Sequence, residues 1–233
     1  HCIGCHSPTA FLSGDMIPKR SQDPDNHWNP GTESRTRADR GIFCDFCHTL
    51  DRFEHVQPFN HDFISHATAD IYPKRGDLEF PWSPHHETAT SEIFESVVVC
   101  ATCHNELNPY GVWVKATQHE YQESVFADRG IPCQACHMQP MGGKPAKMGF
   151  IRPHNTDHWF GGGFAEFVEG AAAVYIQGDD LQVSAGEVVE FSILVKTMAT
   201  GHKFPTGSVE ERDVWLHVSL NNQKGEEVLH IPV

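Results

Sequence analysis

The sequence has few basic residues and no long apolar run, and both absences limit what the protein can do. Lysine and arginine number 17 against 31 aspartates and glutamates, so the formal net charge is −14 with histidine neutral. An acidic chain of this kind repels the phosphate backbone, which excludes nucleic acid as a partner. No stretch approaches the roughly 18 consecutive apolar residues of a transmembrane helix. We therefore predict that the chain does not span a membrane.

A leader segment and a periodic apolar pattern are also missing. No secretory signal precedes the first motif, and the chain ends in a strand pattern over 226–231, so we expect a processed or partial chain. Between residues 1 and 160, periodic apolar runs are scarce, whereas Pro, Asn, Asp and His are frequent. We expect that a group other than side chains supplies the apolar interior of this region.

Cysteine is present in one repeated pattern. All eight cysteines fall in four Cys-x-x-Cys-His motifs, which begin at Cys2, Cys44, Cys100 and Cys133. Zinc sites and redox dithiols need the Cys-x-x-Cys spacing, but neither requires a histidine in the next position. With 17 histidines in 233 residues, four such histidines by chance have odds of roughly three in a hundred thousand. A pair of zinc ribbons and a disulfide-stapled secreted domain are the alternatives.

The repeated motif is typical of covalent c-type haem attachment. Two thiols three residues apart form thioether bonds to the vinyl groups of one porphyrin, and the adjacent histidine coordinates the iron. The sequence therefore predicts four haem c groups. The attaching thiols are those of Cys2, Cys5, Cys44, Cys47, Cys100, Cys103, Cys133 and Cys136, and the proximal ligands are His6, His48, His104 and His137. Because haem is attached outside the cytoplasm, we predict a periplasmic or extracellular location.

A change of pattern near residue 163 predicts two domains. We predict that residues 1–163 form a tetrahaem cytochrome domain, mostly irregular and α-helical and packed around haem. Helical composition over 88–105 and 117–127 leads into the third and fourth motifs, so each motif is predicted to lie at a helix end. Residues 164–233 lack cysteine and contain alternating runs such as 189–195. They predict an antiparallel β-sandwich-like domain that is incomplete at its C-terminus.

The second axial position of each iron distinguishes an electron carrier from an enzyme. A side chain in that position leaves an iron that only exchanges electrons, whereas an open position allows small-molecule chemistry. Thirteen histidines lie outside the four motifs. Because four would suffice, this excess favours bis-histidine ligation over histidine–methionine ligation.

The residues around the motifs resemble those of multihaem c-type cytochromes, the family that includes the tetrahaem electron acceptors of hydroxylamine oxidoreductase. The similar phrases are CIGCHSP from Cys2, GIFCDFCH from Gly41, CATCHN from Cys100 and GIPCQACHM from Gly130. The resemblance covers essentially the whole chain and implies electron transfer between haems. Three further phrases, SPHH, DHWFGG and the GHKFPTG loop of the C-terminal domain, imply distal ligands at His86, His158 and His202.

Each distal assignment has alternatives. His85 competes with His86, and His154 competes with His158, whereas His202 also lies in a Gly- and Pro-containing loop that can project onto a haem. The fourth distal ligand is open, and we name His61 among six candidates: His1, His27, His55, His61, His66 and His119. The histidines at 217 and 230, in strand patterns, are expected to be solvated.

These patterns predict a tetrahaem cytochrome that transfers electrons through closely spaced bis-histidine haems. Expected partners are redox proteins, other haem proteins or extracellular acceptors, and the acidic surface suits basic patches on such partners. Two alternatives stay open. One is a haem enzyme that reduces or oxidises a small nitrogen or sulfur oxyanion at one five-coordinate haem, since fold does not fix function. The other is a subunit of a conducting extracellular filament or another homo-oligomer.

Overall fold

The computed structural model describes residues 2–14, 41–55, 59–69, 71–160, 168–178, 184 and 186–232. Helices make up 24 % of these residues and strands 26 %. Within the described ranges, no helix has both the length and the apolar character needed to cross a bilayer.

The helices are short, and four of them carry the motifs. The α-helices of the described residues are α1 (Cys2–His6), α2 (Pro8–Ser13), α3 (Cys44–His48), α4 (Val98–His104), α5 (Thr117–Gln122), α6 (Val125–Asp128) and α7 (Gln134–His137). Each motif helix ends at its histidine, but only α4 extends before its motif, as predicted, whereas α1 and α3 consist of the motif alone and α7 begins after Cys133. α4 ends there because Asn105 takes an extended conformation and begins a strand. α6 begins after Ser124, whose hydroxyl accepts the Ala127 N–H.

The strands pair two by two. The pairs in the described residues are β1 (Leu50–Arg52) with β2 (Ile64–Ser65), β3 (Lys74–Gly76) with β4 (Thr88–Thr90), β5 (Asn105–Leu107) with β6 (Trp113–Ala116), β7 (Pro140–Gly143) with β8 (Arg152–Thr156), β9 (Ala172–Gln177) with β10 (Ser192–Thr197), and β11 (His217–Asn221) with β12 (Glu227–Pro232). β3 and β4 are parallel, and the other pairs are antiparallel.

The predicted helical, haem-packed region is wrong as a fold class, because residues 41–160 contain small strand pairs among short helices. The predicted helical stretch 88–105 consists of β4, a 3₁₀ turn at Glu92–Glu95 and α4. The β-branched Thr88 and Thr90 favour an extended backbone, and the remaining segment is too short to nucleate a long helix.

The predicted β-sandwich is also wrong, because the described part of the C-terminal region consists of two hairpins, β9–β10 and β11–β12. Large apolar side chains on both hairpins are exposed, including Val174, Ile176 and Leu229. Alternation in the sequence predicts strands, but it does not specify which faces meet.

The apolar core of the described residues is small. It centres on Phe46, Leu50 and Phe63, and the two phenylalanine rings meet edge to face with centroids 4.9 Å apart. This cluster joins α3 to the β1–β2 pair. The Thr49 hydroxyl donates a 2.6 Å hydrogen bond to the Asp45 carbonyl oxygen, which fixes the end of α3 beside the cluster.

The buried cluster indicates which side chains contribute most to the free energy of unfolding. Leu50 is completely buried, so Leu50→Ala should lower the free energy of unfolding by about 2–5 kcal/mol. Leu220→Ala is the matched control because Leu220 is 58 % exposed, and we expect a change of about 0.5 kcal/mol or less. Guanidinium unfolding of the purified protein measures both changes. Equal losses in the two variants would contradict the position of the core.

Candidate haem-binding site

The third motif lies among the other three. The Cys5 thiol lies 3.8 Å from the Cys103 carbonyl oxygen, and the Cys100 thiol is hydrogen-bonded to the thiol of Cys133. Cys47 lies near enough to Cys100 to raise its pKa by charge repulsion. The first and fourth motifs therefore contact the third, and the second lies within electrostatic range of it.

The thiols of these motifs differ in acidity. A hydrogen bond from Cys103 and the nearby His61 lower the pKa of Cys5 to about 4, although burial acts in the opposite direction. Burial and the neighbouring Cys44 raise the pKa of Cys47 to about 11. None of the seven cysteines whose side chains are described forms a disulfide.

Two motif histidines face histidines from distant parts of the chain. The ring of His48 lies 5.8 Å from that of His158, with 29° between the planes. The rings of His137 and His202 lie 6.3 Å apart at 18°. Two imidazole nitrogens each bound at about 2.0–2.1 Å to one metal would place the ring centroids about 6.3 Å apart. Both pairs are stacked ring contacts with centroid separations near this value, so the structure brings His158 and His202 next to motif histidines.

The protonation of these rings suits metal binding as well. Backbone carbonyl oxygens lie at hydrogen-bond distance from Nδ1 of four histidines: Arg75 at 2.6 Å from His48, Glu87 at 2.9 Å from His86, Thr156 at 3.0 Å from His158 and Lys203 at 2.9 Å from His202. A carbonyl only accepts, so Nδ1 is the donor in each of these hydrogen bonds, and in a neutral imidazole Nε2 then keeps its lone pair. Nε2 is the atom that the iron would take.

The remaining distal candidates are not opposite a motif histidine. His86 is exposed beside Glu87, and the contacts of the described residues do not place it against His6 or His104. The ring of His61 packs on Gly4 so closely that a β-carbon at Gly4 would overlap it. The His61 N–H also bonds to the Thr102 carbonyl oxygen at 3.1 Å. His61 therefore lies between α1 and α4, against the backbone of two motif helices.

The other histidines make different contacts. His85 and His154 are exposed, whereas His66 stacks on Tyr72 at 4.0 Å and His119 on Trp113 at 5.2 Å. His55 pairs with Asp62 at 3.0 Å, and His217 is exposed, as predicted. The candidates His1 and His27 and the side chain of His230 lie outside the described residues.

A glutamate on α5 holds the loop that carries His202. One oxygen of Glu120 accepts the Thr206 hydroxyl at 2.7 Å and the Lys203 N–H at 3.2 Å. The hydroxyls of Thr117 and Thr206 meet at 3.0 Å. These bonds fix loop 200–207 on the C-terminal side of His202. Sequence reasoning missed this role, since nothing distinguishes Glu120 from the other acidic residues.

The hydrogen bonds of Glu120 predict what happens when this side chain is removed. Glu120→Ala should free the loop, because hydrogen bonds to a charged group each contribute about 1.5–3 kcal/mol. We expect a high-spin fraction at one haem by electron paramagnetic resonance, and Glu120→Gln should restore part of the low-spin signal. Glu123→Ala, at an exposed position just after α5, is the control. A fully low-spin spectrum for Glu120→Ala would show that the loop does not need this carboxylate.

A charged network holds the carbonyl that bonds to His48. Arg75 donates to Asp51 at 2.8 Å and to the Tyr72 hydroxyl oxygen at 2.8 Å, and Tyr72 donates to Asp51 at 3.1 Å. Burial alone would raise the pKa of Asp51, but Tyr72, Arg52 and Arg75 outweigh it and hold that pKa below its ordinary value. The network therefore fixes the strand whose backbone orients His48.

His104 lies near the His137–His202 pair. Burial lowers the pKa of His104, and the charge of Lys115 and the two histidines lower it further. Lys115 itself pairs with Glu106 at 2.9 Å across β5 and β6. A neutral imidazole is the form that binds iron, so this environment suits His104 as a proximal ligand.

Comparison with known proteins gives no match: no family model, curated protein or solved structure matches this chain. Among the described residues, no group of three or more His, Cys, Asp and Glu is arranged to hold a metal ion. A haem iron with two histidine ligands has only two protein ligands, because the porphyrin supplies the others. A site of that kind would not contain a group of three or more such residues.

Proposed function

We propose that the protein is a tetrahaem c-type cytochrome that transfers electrons. One observation carries the proposal. His158 and His202, named from the sequence as distal ligands, have rings stacked beside those of the motif histidines His48 and His137, with centroids 5.8 and 6.3 Å apart. Both also donate Nδ1–H to a backbone carbonyl, which leaves Nε2 available. The four repeated motifs supply the matching thiols.

The chain's own residues would bind and tune the cofactors. When bound, haem c supplies reversible one-electron chemistry at its iron. The cysteines of the four motifs would attach the rings, and the two facing histidine pairs would close both axial positions. The carbonyl acceptors of Arg75 and Thr156 keep the rings oriented and make the imidazoles more basic ligands. An iron closed on both faces does not bind substrate, so electron transfer is the activity that this arrangement favours.

The small protein core supports the same proposal. Among the described residues, seven apolar side chains are buried, and three of them, Phe46, Leu50 and Phe63, form the only large cluster there. A cofactor with a large apolar surface would add to this small core. We place the protein in the periplasm or outside the cell, where haem c is attached, with redox proteins or extracellular acceptors as partners.

Intact mass spectrometry and spin state test the proposal. Protein made in a host that attaches haem c should carry four macrocycles and no free thiol. Electron paramagnetic resonance should show low-spin ferric haem, whereas a high-spin signal that shifts with nitrite or hydroxylamine would favour the enzyme. Negative-stain microscopy separates monomers from filaments. Free thiols or bound zinc in place of haem would refute the proposal.

A further inference from the structure

A group of exposed apolar side chains lies beside the His48–His158 pair. We call this group the aromatic face and define it as Phe80, Trp82, Met148, Phe150 and Ile151. These five side chains are between 61 % and 88 % exposed. Scattered apolar residues are common on protein surfaces, but a contiguous group marks an interaction site.

The aromatic face joins two segments that are distant in the chain. Trp82 and Phe150 have ring centroids 6.3 Å apart. Arg152, at the start of β8, donates to the Glu79 carbonyl at 3.0 Å and to the Phe80 carbonyl at 3.2 Å. The segment before β4 is thereby fixed against the β7–β8 hairpin. Two independent contacts therefore hold these side chains together.

Phe80 is held in an unusual conformation. Its φ is +50°, a left-handed value that a bulky side chain rarely adopts, and the ring is 88 % exposed. Such a conformation costs on the order of 1–3 kcal/mol and persists where the surrounding contacts impose it. The two hydrogen bonds from Arg152 are such contacts. The fold therefore stabilises an outward-facing aromatic ring at this position.

The charge around the hairpin is opposite to that of the whole protein. From Arg129 to Thr156 the chain has four basic residues and no acidic one, although acids outnumber bases 31 to 17 overall. Lys144 and Lys147 lie in the exposed loop between β7 and β8. The nearest acids in the contacting segment are Glu79 and Asp77, and Asp77 accepts the Thr156 hydroxyl at 3.0 Å. The loop itself therefore presents lysines beside the aromatic face.

A short connection links this face to the candidate iron site. β8 ends at Thr156, whose carbonyl accepts Nδ1–H of His158 at 3.0 Å, and the ring of His158 faces His48. β8 therefore connects the aromatic face to the segment that carries His158. Transient electron-transfer complexes bury less than about 1,200 Å² in total, so a small apolar centre with a charged rim is sufficient.

We propose that the aromatic face, with Lys144 and Lys147, is the docking site for an acidic electron-transfer protein. This inference rests on the proposed electron-transfer function. Apolar side chains at the centre supply contact, and the lysines attract the negative charge around the partner's cofactor. Electrons would pass between the partner and the haem at His48 and His158.

Binding of an acidic plant-type [2Fe–2S] ferredoxin to the holoprotein tests the proposal. The charge-reversal variant K144E/K147E should weaken binding roughly tenfold at low ionic strength, because steering depends on the local field. The variant K196E/K224E makes the same charge change on the exposed hairpins, and its affinity should stay within about twofold of the parent. Phe150→Ser should also weaken binding, whereas Ile176→Ser, at an equally exposed position on β9, should not.

Three results would overturn the docking site. Equal losses in both charge-reversal variants would mean that only net charge matters. Unchanged affinity in K144E/K147E and Phe150→Ser would place the contact elsewhere. Self-association in sedimentation that K144E/K147E abolishes would make a second copy the occupant. Calorimetric binding does not depend on haem, and the haem count is measured separately, so a failure of the proposed function is distinguishable from a failure of the site.

Discussion

Replacing Cys100 and Cys103 with alanine is expected to prevent the protein from folding. Their helix, α4, has a fully buried centre at Ala101 and Thr102. The thiols of Cys100 and Cys103 contact those of Cys133 and Cys5 in two other motifs. If the third motif holds haem c as proposed, this variant loses both that group and the thiol contacts of α4. With a core of three large apolar side chains among the described residues, the rest of that part of the chain cannot offset the entropy of ordering it.

The matched control removes one haem, that of the fourth motif. C133A/C136A deletes the thiols of α7, and the Cys136 side chain is exposed. We expect this variant to retain three haems and a cooperative unfolding transition. Haem content after purification and the denaturant profile measure both variants. If C100A/C103A also yields a stable three-haem protein, the third motif is not the centre of the fold.

The sequence predicts the chemistry of the site better than its architecture. Covalent attachment requires two thiols and a histidine at fixed spacing, so the motifs and their helix ends can be identified without knowledge of the fold. His158 and His202 could be named from local phrases, and in the structure the ring of each stacks beside that of a motif histidine. His86 could be named in the same way, but pairing an axial ligand with its haem depends on long-range geometry.

Residues that act through the backbone or at long range carry no sequence signal. The backbone carbonyl of Arg75 orients His48. Every residue has such a carbonyl, so the sequence does not show which one has this role. Glu120 anchors a loop more than 80 residues away, and one acid among 31 is indistinguishable by pattern. The fold class failed for a related reason. Helices of four to seven residues and isolated strand pairs fall below the length at which periodicity identifies an element.

Removing the imidazole of His202 should convert one haem from low-spin to high-spin without unfolding the protein. The loop around His202 is held independently of its side chain, because the Thr200 hydroxyl donates to the His202 carbonyl at 2.7 Å and Thr206 bonds to Glu120. His202→Ala therefore leaves an open axial position opposite His137. His217→Ala, at an exposed strand position, is the matched control and should keep every haem low-spin.

External imidazole provides the decisive readout for this variant. Added imidazole should enter the open position of His202→Ala and restore the low-spin electron paramagnetic resonance signal, since the proximal His137 stays in place. His202→Met should keep the iron six-coordinate and raise the midpoint potential of that single haem, because a thioether stabilises ferrous iron more than an imidazole does. A variant that stays low-spin without imidazole would show that another side chain closes the fourth haem. The pairing inferred from the 6.3 Å separation of the two rings would then be wrong.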